Sequence, residues 1–268
     1  MARAAFAFDC LGKIAVRQDK HCPYCGNVHT RLLARKRLIA QLRHCPHCEL
    51  MFLWPKLIPV ENRGFYQSTY REDAVTDLPS SGDLARLIAS RFRGSLLDYS
   101  RRIATVREVS PGGRLLDYGA SWGYGVWQFQ DAGYDAVGFE ISKPRAVFGK
   151  ERLGLAMVDS TSDLPAHSFD LLHGSHVLEH VSDLSATFAD FCGLLCTGGY
   201  LVIFVPNGGG RSARELGVKW GPMIGEKHVN ALTETFLGRA LAGHGFTCTF
   251  GPKDDDELLL IARLNAPL

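Results

Sequence analysis

Four of the eight cysteines in this 268-residue chain form two closely spaced pairs. Cys22 and Cys25 make one Cys-x-x-Cys pair, and Cys45 and Cys48 make the other. In such a pair a tight turn lets both sulfur atoms face one ion, and four thiolates complete the tetrahedral shell that Zn²⁺ prefers. The spacing therefore predicts a structural zinc site. A redox dithiol is the alternative for a single pair, but two pairs at this separation favour the metal.

The segment around these cysteines is short and basic. Residues 1–60 are predicted to form a zinc ribbon with a hairpin between the pairs, and zinc is expected to supply much of its folding free energy. These residues contain ten Lys or Arg and three Asp or Glu, a balance of 10 − 3 = +7. A zinc with four thiolates would leave about +5. Such a surface attracts phosphates, although ordinary solvated side chains account for it equally well.

A second set of residues has the types and spacing of a nucleotide site. Arg114–Tyr118 is predicted to be a buried strand that leads into a glycine-bearing loop, Gly119–Gly123. Asp135–Glu140 is predicted to be the next strand, with an acid at its end. Such a loop lets the backbone approach a ligand closely, and such an acid typically binds the two hydroxyls of a ribose. Glu140 follows Gly119 by 21 positions, which is close to the spacing this arrangement requires.

The elements around this site alternate between strand and helix from residue 111 to residue 268. This pattern predicts an α/β fold with a doubly wound, mostly parallel seven-stranded sheet and an antiparallel final strand. Residues 61–110 are predicted to be a linker and lead-in helices. The aromatic residues Phe65, Tyr66 and Tyr70 are expected to pack in a core, with a part in covering the active site as the alternative. Further strands are expected at 155–158, 168–173, 200–205, 246–250 and 257–264, with helices at 126–132, 183–196 and 233–243.

Four stretches, in this order, resemble the class I S-adenosylmethionine-dependent methyltransferase family. They are Leu115–Gly123, Phe139–Ser142, Phe169–Val181 and Leu195–Asn207. The chain departs from the family at Ser121, where a glycine is usual, which puts the loop geometry there in question. Dehydrogenases that use NAD share the layout, but they carry a Gly-x-Gly-x-x-Gly loop that is absent here.

The resemblance implies a set of residues that line S-adenosylmethionine. Those along its amino-acid and ribose parts are Asp117, Gly119, Ala120 and Gly123. Glu140 is assigned to the ribose hydroxyls. The others are Ile141 on the adenine ring, Asp159 or Ser160 at the adenine amine, and His173 and Gly174 through their backbone.

Histidines after the fourth predicted strand are candidates for the chemistry at the acceptor. Methyl transfer requires an aligned nucleophile, and many acceptors require a base. His176 and His228 are the candidate catalytic residues, as base or acceptor contact. Together with Glu179 and His180, they also resemble the metal-binding arrangement of small-RNA end methyltransferases, which has a glutamate at the position of His176. A second metal is therefore left open, as is the alternative that Glu179 and His180 only hold their loop.

The resemblance implies a methyltransferase acting on a small molecule. A ribbon before such a domain resembles the subgroup that modifies nucleotide-linked sugars, saccharides or natural-product intermediates. The long loop before His228 is expected to form the acceptor pocket. One alternative is an RNA methyltransferase that grips the phosphate backbone with its basic ribbon. Another is a non-catalytic scaffold whose ribbon binds a protein.

Composition limits the location of the chain. Net charge is +2, and no run of about 18 apolar residues occurs, so no membrane span is expected. Asp9 interrupts the apolar N-terminus too early for a signal peptide. We therefore expect a cytoplasmic protein, and the sequence does not indicate an oligomeric state.

Overall fold

The computed structural model describes residues 19–36, 39–56, 77–225 and 227–265. Phe65, Tyr66 and Tyr70 lie outside this part of the chain, as do Cys10 and residues 61–76 of the predicted linker. The domain boundaries placed at residues 60 and 110 stay predictions.

The elements follow the predicted alternation closely. The strands are β1 (Arg31–Lys36), β2 (Ala40–His44), β3 (Met51–Trp54), β4 (Arg114–Tyr118), β5 (Asp135–Phe139), β6 (Met157–Val158), β7 (Phe169–Ser175), β8 (Leu195–Pro206), β9 (Asn230–Ala231), β10 (Phe246–Phe250) and β11 (Glu257–Leu264). The helices are α1 (Ser81–Ala89), α2 (Ser100–Val109), α3 (Tyr124–Asp131), α4 (Lys143–Leu153), α5 (Leu184–Leu194), α6 (Arg211–Leu216) and α7 (Glu234–Gly243).

The larger sheet has seven strands in the order β10-β11-β8-β7-β4-β5-β6. Parallel pairing joins β4 to β5 and β7, and β5 to β6. The final strands run antiparallel, so the predicted doubly wound sheet is confirmed. Asp117 on β4 pairs with Gly138 on one side and with His173 on the other. This register places the ends of three parallel strands at one edge of the sheet, where ligands bind in folds of this kind.

The smaller sheet contains the predicted hairpin. Strands β1 and β2 pair antiparallel, β2 pairs with β3, and β3 pairs with β9. Met51 lies opposite Ala231 in this register, and Phe52 lies opposite Asn230. Short strands near the N-terminus therefore share a sheet with a segment about 180 residues away in the chain.

The chain forms two compact units. Unit 1 comprises Met1–Pro59, His176–Ala189 and Ile203–Ala262, and it contains the four paired cysteines. Unit 2 comprises Val60–Ser175, Asp190–Val202 and Arg263–Leu268, and it contains the glycine-bearing loop. Among the described residues, no helix is long and apolar enough to cross a membrane.

Several element bounds differ from the sequence prediction by one or two residues. The largest difference is at β8, which was predicted to begin at residue 200 and begins at Leu195, so that Gly198 and Gly199 lie within the strand. A side chain at Gly199 would lie 2.9 Å from the Cys196 carbonyl oxygen, so only glycine fits there. The long loop between β8 and His228 contains the short helix α6. Thr233 is the N-cap of α7, since its side chain accepts from Phe236 N.

Gly138 provides a test of the packing between β5 and its neighbours. A Cβ atom at Gly138 would lie 2.4 Å from Met157 Sδ and 2.8 Å from Val126 Cγ2. We expect Gly138→Ala to lower the free energy of unfolding by about 1–3 kcal/mol through overpacking. The matched control is Gly243→Ala at the end of α7, where a Cβ meets nothing within 4 Å. Chemical denaturation should show an unchanged or slightly higher stability for the control, and equal losses in both variants would contradict this packing.

Candidate functional site

The glycine-bearing loop in unit 2 is anchored to the end of β5. Gly119 has φ +81°, a conformation that glycine adopts without strain. The backbone N–H groups of Gly119 and Ala120 both donate to the Phe139 carbonyl oxygen, at 2.8 and 2.9 Å. Gly123 caps α3 with φ +90°, and a Cβ there would lie 2.6 Å from Leu155 Cδ1. The loop therefore has the close backbone path that the sequence predicts.

Glu140 sits directly after β5 with only 7% of its surface exposed. Its Oε2 accepts from Ser121 N at 2.8 Å, and its Oε1 accepts from Ser142 N at 2.8 Å. Burial raises the pKa of this carboxyl, and the two backbone donors oppose that shift. Each carboxylate oxygen can accept a further hydrogen bond. The carboxylate is thus fixed in place while it keeps acceptor capacity for two ligand hydroxyls.

Ser121 adopts the backbone geometry of the glycine that it replaces. Its φ is +52°, which L-residues rarely adopt. Its Oγ accepts from Arg145 Nη1 at 2.6 Å, and Arg145 is itself buried on α4. The loop therefore keeps its geometry with a serine at this position. The Ser121 hydroxyl also gives the buried Arg145 guanidinium an acceptor, which offsets the strain of the left-handed backbone. The sequence analysis missed Arg145, and the one signal available was that a buried serine needs a donor.

Asp117 and His173 form a buried pair between β4 and β7. Asp117 Oδ1 lies 2.7 Å from His173 Nδ1, and both side chains are almost fully inaccessible. Asp117 Oδ2 has no hydrogen-bond partner among the described residues. An orphaned buried acceptor of this kind fits a ligand donor such as the amino group of S-adenosylmethionine. The ring of Tyr99, which the sequence analysis missed, packs on His173 at a centroid distance of 5.5 Å.

The remaining cofactor candidates lie at the ends of β6 and β7 or beside Glu140. Glu140 N donates to the Val158 carbonyl at 2.9 Å, so Asp159 follows at the same edge as Glu140. Asp159 lies 3.7 Å from Lys143 Nζ. Ser160 uses its hydroxyl to cap the following turn. Ile141 is half-buried and Gly174 is buried within β7.

The four paired cysteines in unit 1 converge on one point. Their Sγ atoms all lie within 4.8 Å of one another, with Cys22 3.5 Å from Cys48 and Cys25 3.6 Å from Cys45. A tetrahedral zinc with bonds of about 2.3 Å separates its sulfurs by about 3.8 Å. A hydrogen bond from Cys48 lowers the pKa of Cys22 to about 5, whereas burial raises the pKa of Cys25 to about 11. The cluster has the spacing of a zinc site, and a cation would allow all four thiols to ionise.

The two cysteine turns repeat one geometry. Gly26 N donates to the Cys22 carbonyl, and Glu49 N donates to the Cys45 carbonyl in the same way. Gly26 has φ +72° and Glu49 has φ +71°. Glu49 adopts this conformation without being a glycine, and its carboxylate lies 3.0 Å from His44 Nε2 and 3.5 Å from Arg239 Nη1.

Comparison with known proteins identifies the family of this chain. Residues 89–249, more than half of the chain, match a family model described as a methyltransferase domain. The chain belongs to the methyltransferase-domain family. A relative from Serratia marcescens, malonyl-[acyl-carrier protein] O-methyltransferase, is 27% identical over 159 residues. That match covers 54% of this chain and 61% of the relative, so the chain spans about three fifths of the length of this curated relative.

Solved structures share the fold of these methyltransferases. An S-adenosylmethionine-dependent methyltransferase from Thermotoga maritima is 17% identical with a TM-score of 0.52, over 67% of this chain and 97% of that one. The YcgJ protein from Bacillus subtilis is 11% identical with a TM-score of 0.52, over 62% of this chain and 99% of that one. These similarities show the Rossmann-like methyltransferase fold.

The histidines predicted for the acceptor chemistry belong to unit 1. His176 Nε2 lies 2.9 Å from Glu257 Oε1, and His176 Nδ1 lies 3.3 Å from Glu179 Oε1. Burial lowers the pKa of His176, but the two carboxylates outweigh it and raise that pKa to about 9. His176 is therefore protonated near neutral pH. His228 lies near His180, with ring centroids 4.7 Å apart and planes perpendicular.

A cleft of about 360 Å³ opens within unit 1. Its lining carries both signs of charge, with Arg214 and Lys253 beside Glu49 and Glu234. Arg214 pairs with Asp254, and Lys253 lies 3.9 Å from Glu234. Asn207, at the end of the fifth strand that the sequence predicted, also lines the cleft. Its volume is that of a small-molecule site.

Replacing two cysteines tests the predicted zinc site. We expect Cys22→Ser with Cys25→Ser to lose one zinc per chain, because two of the four thiolates are removed. Elemental analysis of the purified protein measures this, and circular dichroism follows the structure of the ribbon. Cys248→Ser, which lies outside the cluster, is the control and should keep its zinc. Unchanged zinc content in the double variant would refute the site.

Two substitutions at Ser121 separate backbone strain from the hydroxyl contact. Ser121→Ala and Ser121→Gly both remove the acceptor of Arg145, but only glycine is relaxed at φ +52°. We expect Ser121→Ala to be less stable than Ser121→Gly by about 1 kcal/mol. Urea denaturation of both variants measures this difference. Equal stabilities would show that position 121 does not hold a left-handed conformation.

Proposed function

We propose that this chain is an S-adenosylmethionine-dependent methyltransferase acting on a small-molecule acceptor. The carrying observation is Glu140, a buried carboxylate with one backbone donor on each oxygen and capacity for two hydroxyls. That arrangement suits the vicinal diol of a ribose. When bound, S-adenosylmethionine supplies a methyl group activated by its positively charged sulfur.

The other cofactor residues are proposed to orient this group. Asp117 Oδ2 is an acceptor for the amino group, and the backbone of Gly119, Ala120 and Gly123 allows close approach along the amino-acid and ribose parts. Ile141 would pack on adenine, with Asp159 or Ser160 at its amine. His173 holds Asp117 by its side chain, so its proposed contact through the backbone, shared with Gly174, is compatible with the Asp117 pair.

A small acceptor is supported by the cleft in unit 1. Its volume and its mixed charge suit a polar molecule such as a nucleotide-linked sugar, a saccharide or a natural-product intermediate. The Serratia relative is a malonyl-[acyl-carrier protein] O-methyltransferase, which keeps O-methylation within the range of the proposal.

The RNA alternative draws less support from the described part of the ribbon. Arg43 is buried and donates to Thr30 and Gln41. Lys36 donates to the Ile224 carbonyl, and Lys56 pairs with Asp19. Basic side chains that serve the fold in this way are not available to phosphates. Cofactor binding distinguishes the proposed enzyme from the scaffold alternative, because a non-catalytic scaffold would not bind S-adenosylmethionine.

A structural zinc held by Cys22, Cys25, Cys45 and Cys48 completes the proposal. Tyr24, between two of these cysteines, packs edge-on against Phe236 at 5.2 Å, so the ribbon has a role in scaffolding unit 1. Thiolate–zinc sites persist in reducing compartments, which agrees with the cytoplasmic location that we propose.

We propose different roles for His176 and His228 toward the acceptor. Because His176 is held as a cation by two carboxylates, it suits contact with an anionic acceptor group better than proton removal. His228 donates through Nδ1 to the Pro222 carbonyl oxygen at 2.8 Å, which leaves a lone pair on Nε2 that can bind either an acceptor proton or a cation.

Substitution of Glu140 tests the cofactor site. We expect Glu140→Gln to bind S-adenosylmethionine roughly 10- to 100-fold more weakly, because hydrogen bonds to a charged acceptor are lost. Calorimetry should also show that wild type, unlike the variant, discriminates strongly against a cofactor analogue lacking the ribose hydroxyls. The control is Asp163→Asn, an exposed acid in the same unit. Unchanged affinity in Glu140→Gln would remove the carrying observation, and absence of any cofactor binding by wild type would remove the proposed function.

A further inference from the structure

A second cluster of potential metal ligands lies in unit 1, apart from the cysteines in sequence. Glu179, His180 and His228 each bring one ligand atom within 4.8 Å of the other two. Glu179 and His180 belong to a short turn, Leu178–His180, and His228 precedes β9. Nearly fifty residues separate the two parts, so the fold brings these side chains together.

The Glu179 carboxylate lacks the partners that its burial requires. Only 1% of its surface is exposed, and neither oxygen has a hydrogen-bond partner among the described residues. Its nearest imidazole nitrogens are His176 Nδ1 at 3.3 Å and His180 Nε2 at 3.8 Å. An inaccessible carboxylate without hydrogen bonds is costly, and a bound cation is one of the few arrangements that relieve the cost.

Both histidines are held in the tautomer that metal binding needs. His180 Nδ1 lies 2.7 Å from the Lys227 carbonyl oxygen, and His228 Nδ1 lies 2.8 Å from the Pro222 carbonyl oxygen. A carbonyl oxygen only accepts, so Nδ1 carries the proton in each bond and Nε2 carries a lone pair. Metal-binding histidines are typically oriented in this way by a carbonyl partner of the second ring nitrogen.

We propose that Glu179 Oε, His180 Nε2 and His228 Nε2 bind one divalent transition-metal ion. Two imidazole nitrogens and one carboxylate oxygen form a three-ligand set used by zinc, manganese and iron, with further positions left to water or a ligand. The ion would give the buried Glu179 carboxylate the partner that it lacks among the described residues. It goes beyond the proposed methyl transfer, because it concerns a second metal and does not depend on cofactor binding.

His176 is not a member of this set, although the sequence pattern includes it. Its Nε2 lies 2.9 Å from Glu257 Oε1, and its Nδ1 lies 3.3 Å from Glu179 Oε1, so each ring nitrogen faces a carboxylate. His176 therefore lies beside the proposed ligand Glu179 and is not itself one of the three ligands.

The site would fasten the turn Leu178–His180 to the segment that precedes β9. The same two segments are already joined through backbone and side chain. Val229 N donates to the Glu179 carbonyl at 2.8 Å, and Asn230 Nδ2 donates to the Leu178 and Val181 carbonyls at 3.1 and 2.7 Å. Those contacts preorganise the ligands, so little ordering is left to the metal.

Manganese titration of the zinc-loaded full-length protein tests this site. Thiolates disfavour Mn²⁺ relative to nitrogen and oxygen ligands, so Mn²⁺ reports on this cluster while zinc stays with the cysteines. We expect electron paramagnetic resonance to show one bound Mn²⁺ per chain. Loss of a ligand should weaken binding roughly tenfold or more in Glu179→Gln and His228→Gln. His29→Ala, an exposed histidine outside the cluster, should bind Mn²⁺ as wild type does.

The wild-type measurement keeps the test independent of variant folding. Circular dichroism and melting temperature verify that each variant is folded, and the metal should raise the melting temperature of wild type but not of Glu179→Gln. No bound Mn²⁺ in wild type, together with a zinc content of only one per chain, would overturn the proposal. Equal Mn²⁺ affinity in folded Glu179→Gln and wild type would also overturn it. Neither result would bear on the proposed cofactor site, which is tested separately by calorimetry with S-adenosylmethionine.

Discussion

The junction between β5 and the glycine-bearing loop is the constraint on which the cofactor edge depends. The Phe139 carbonyl accepts two loop N–H groups, and the next residue, Glu140, accepts a third from Ser121. Three consecutive loop donors are therefore satisfied by two consecutive residues of the neighbouring strand. Because β4 and β5 are parallel neighbours, this closure places the carboxylate beside the loop, and Ser142 N holds its second oxygen.

Ser121 shows how one residue can break a motif and keep its geometry. The left-handed backbone there costs about 1 kcal/mol in an L-residue. The hydroxyl offsets this cost by accepting from Arg145, which would otherwise have one acceptor fewer in a buried setting. A sequence pattern written only in glycines would rank this chain as a poor match, although the loop follows the expected path.

Much of the fold follows from the sequence, because the period of buried residues changes clearly between strand and helix. β4, β10 and β11 were predicted with their observed bounds, and the cysteine spacing anticipated the sulfur cluster. The sequence did not indicate Arg145 or Tyr99, since their roles depend on tertiary contacts that no local pattern encodes. It also could not separate His176 from its neighbours, because Glu257 lies 81 positions away and enters only through the fold.

The repeated cysteine turns have a mechanical consequence. At Glu49 the second turn keeps a conformation that a glycine would adopt at lower cost, and its carboxylate reaches Arg239 on α7. Tyr24, within the first turn, meets Phe236 on the same helix. Each half of the sulfur cluster is thus tied to α7 by its own side chain. Loss of a zinc ion from the proposed site would loosen both ties together, so the amide protons of α7 would exchange with solvent in step with those of the ribbon, as one cooperative unit.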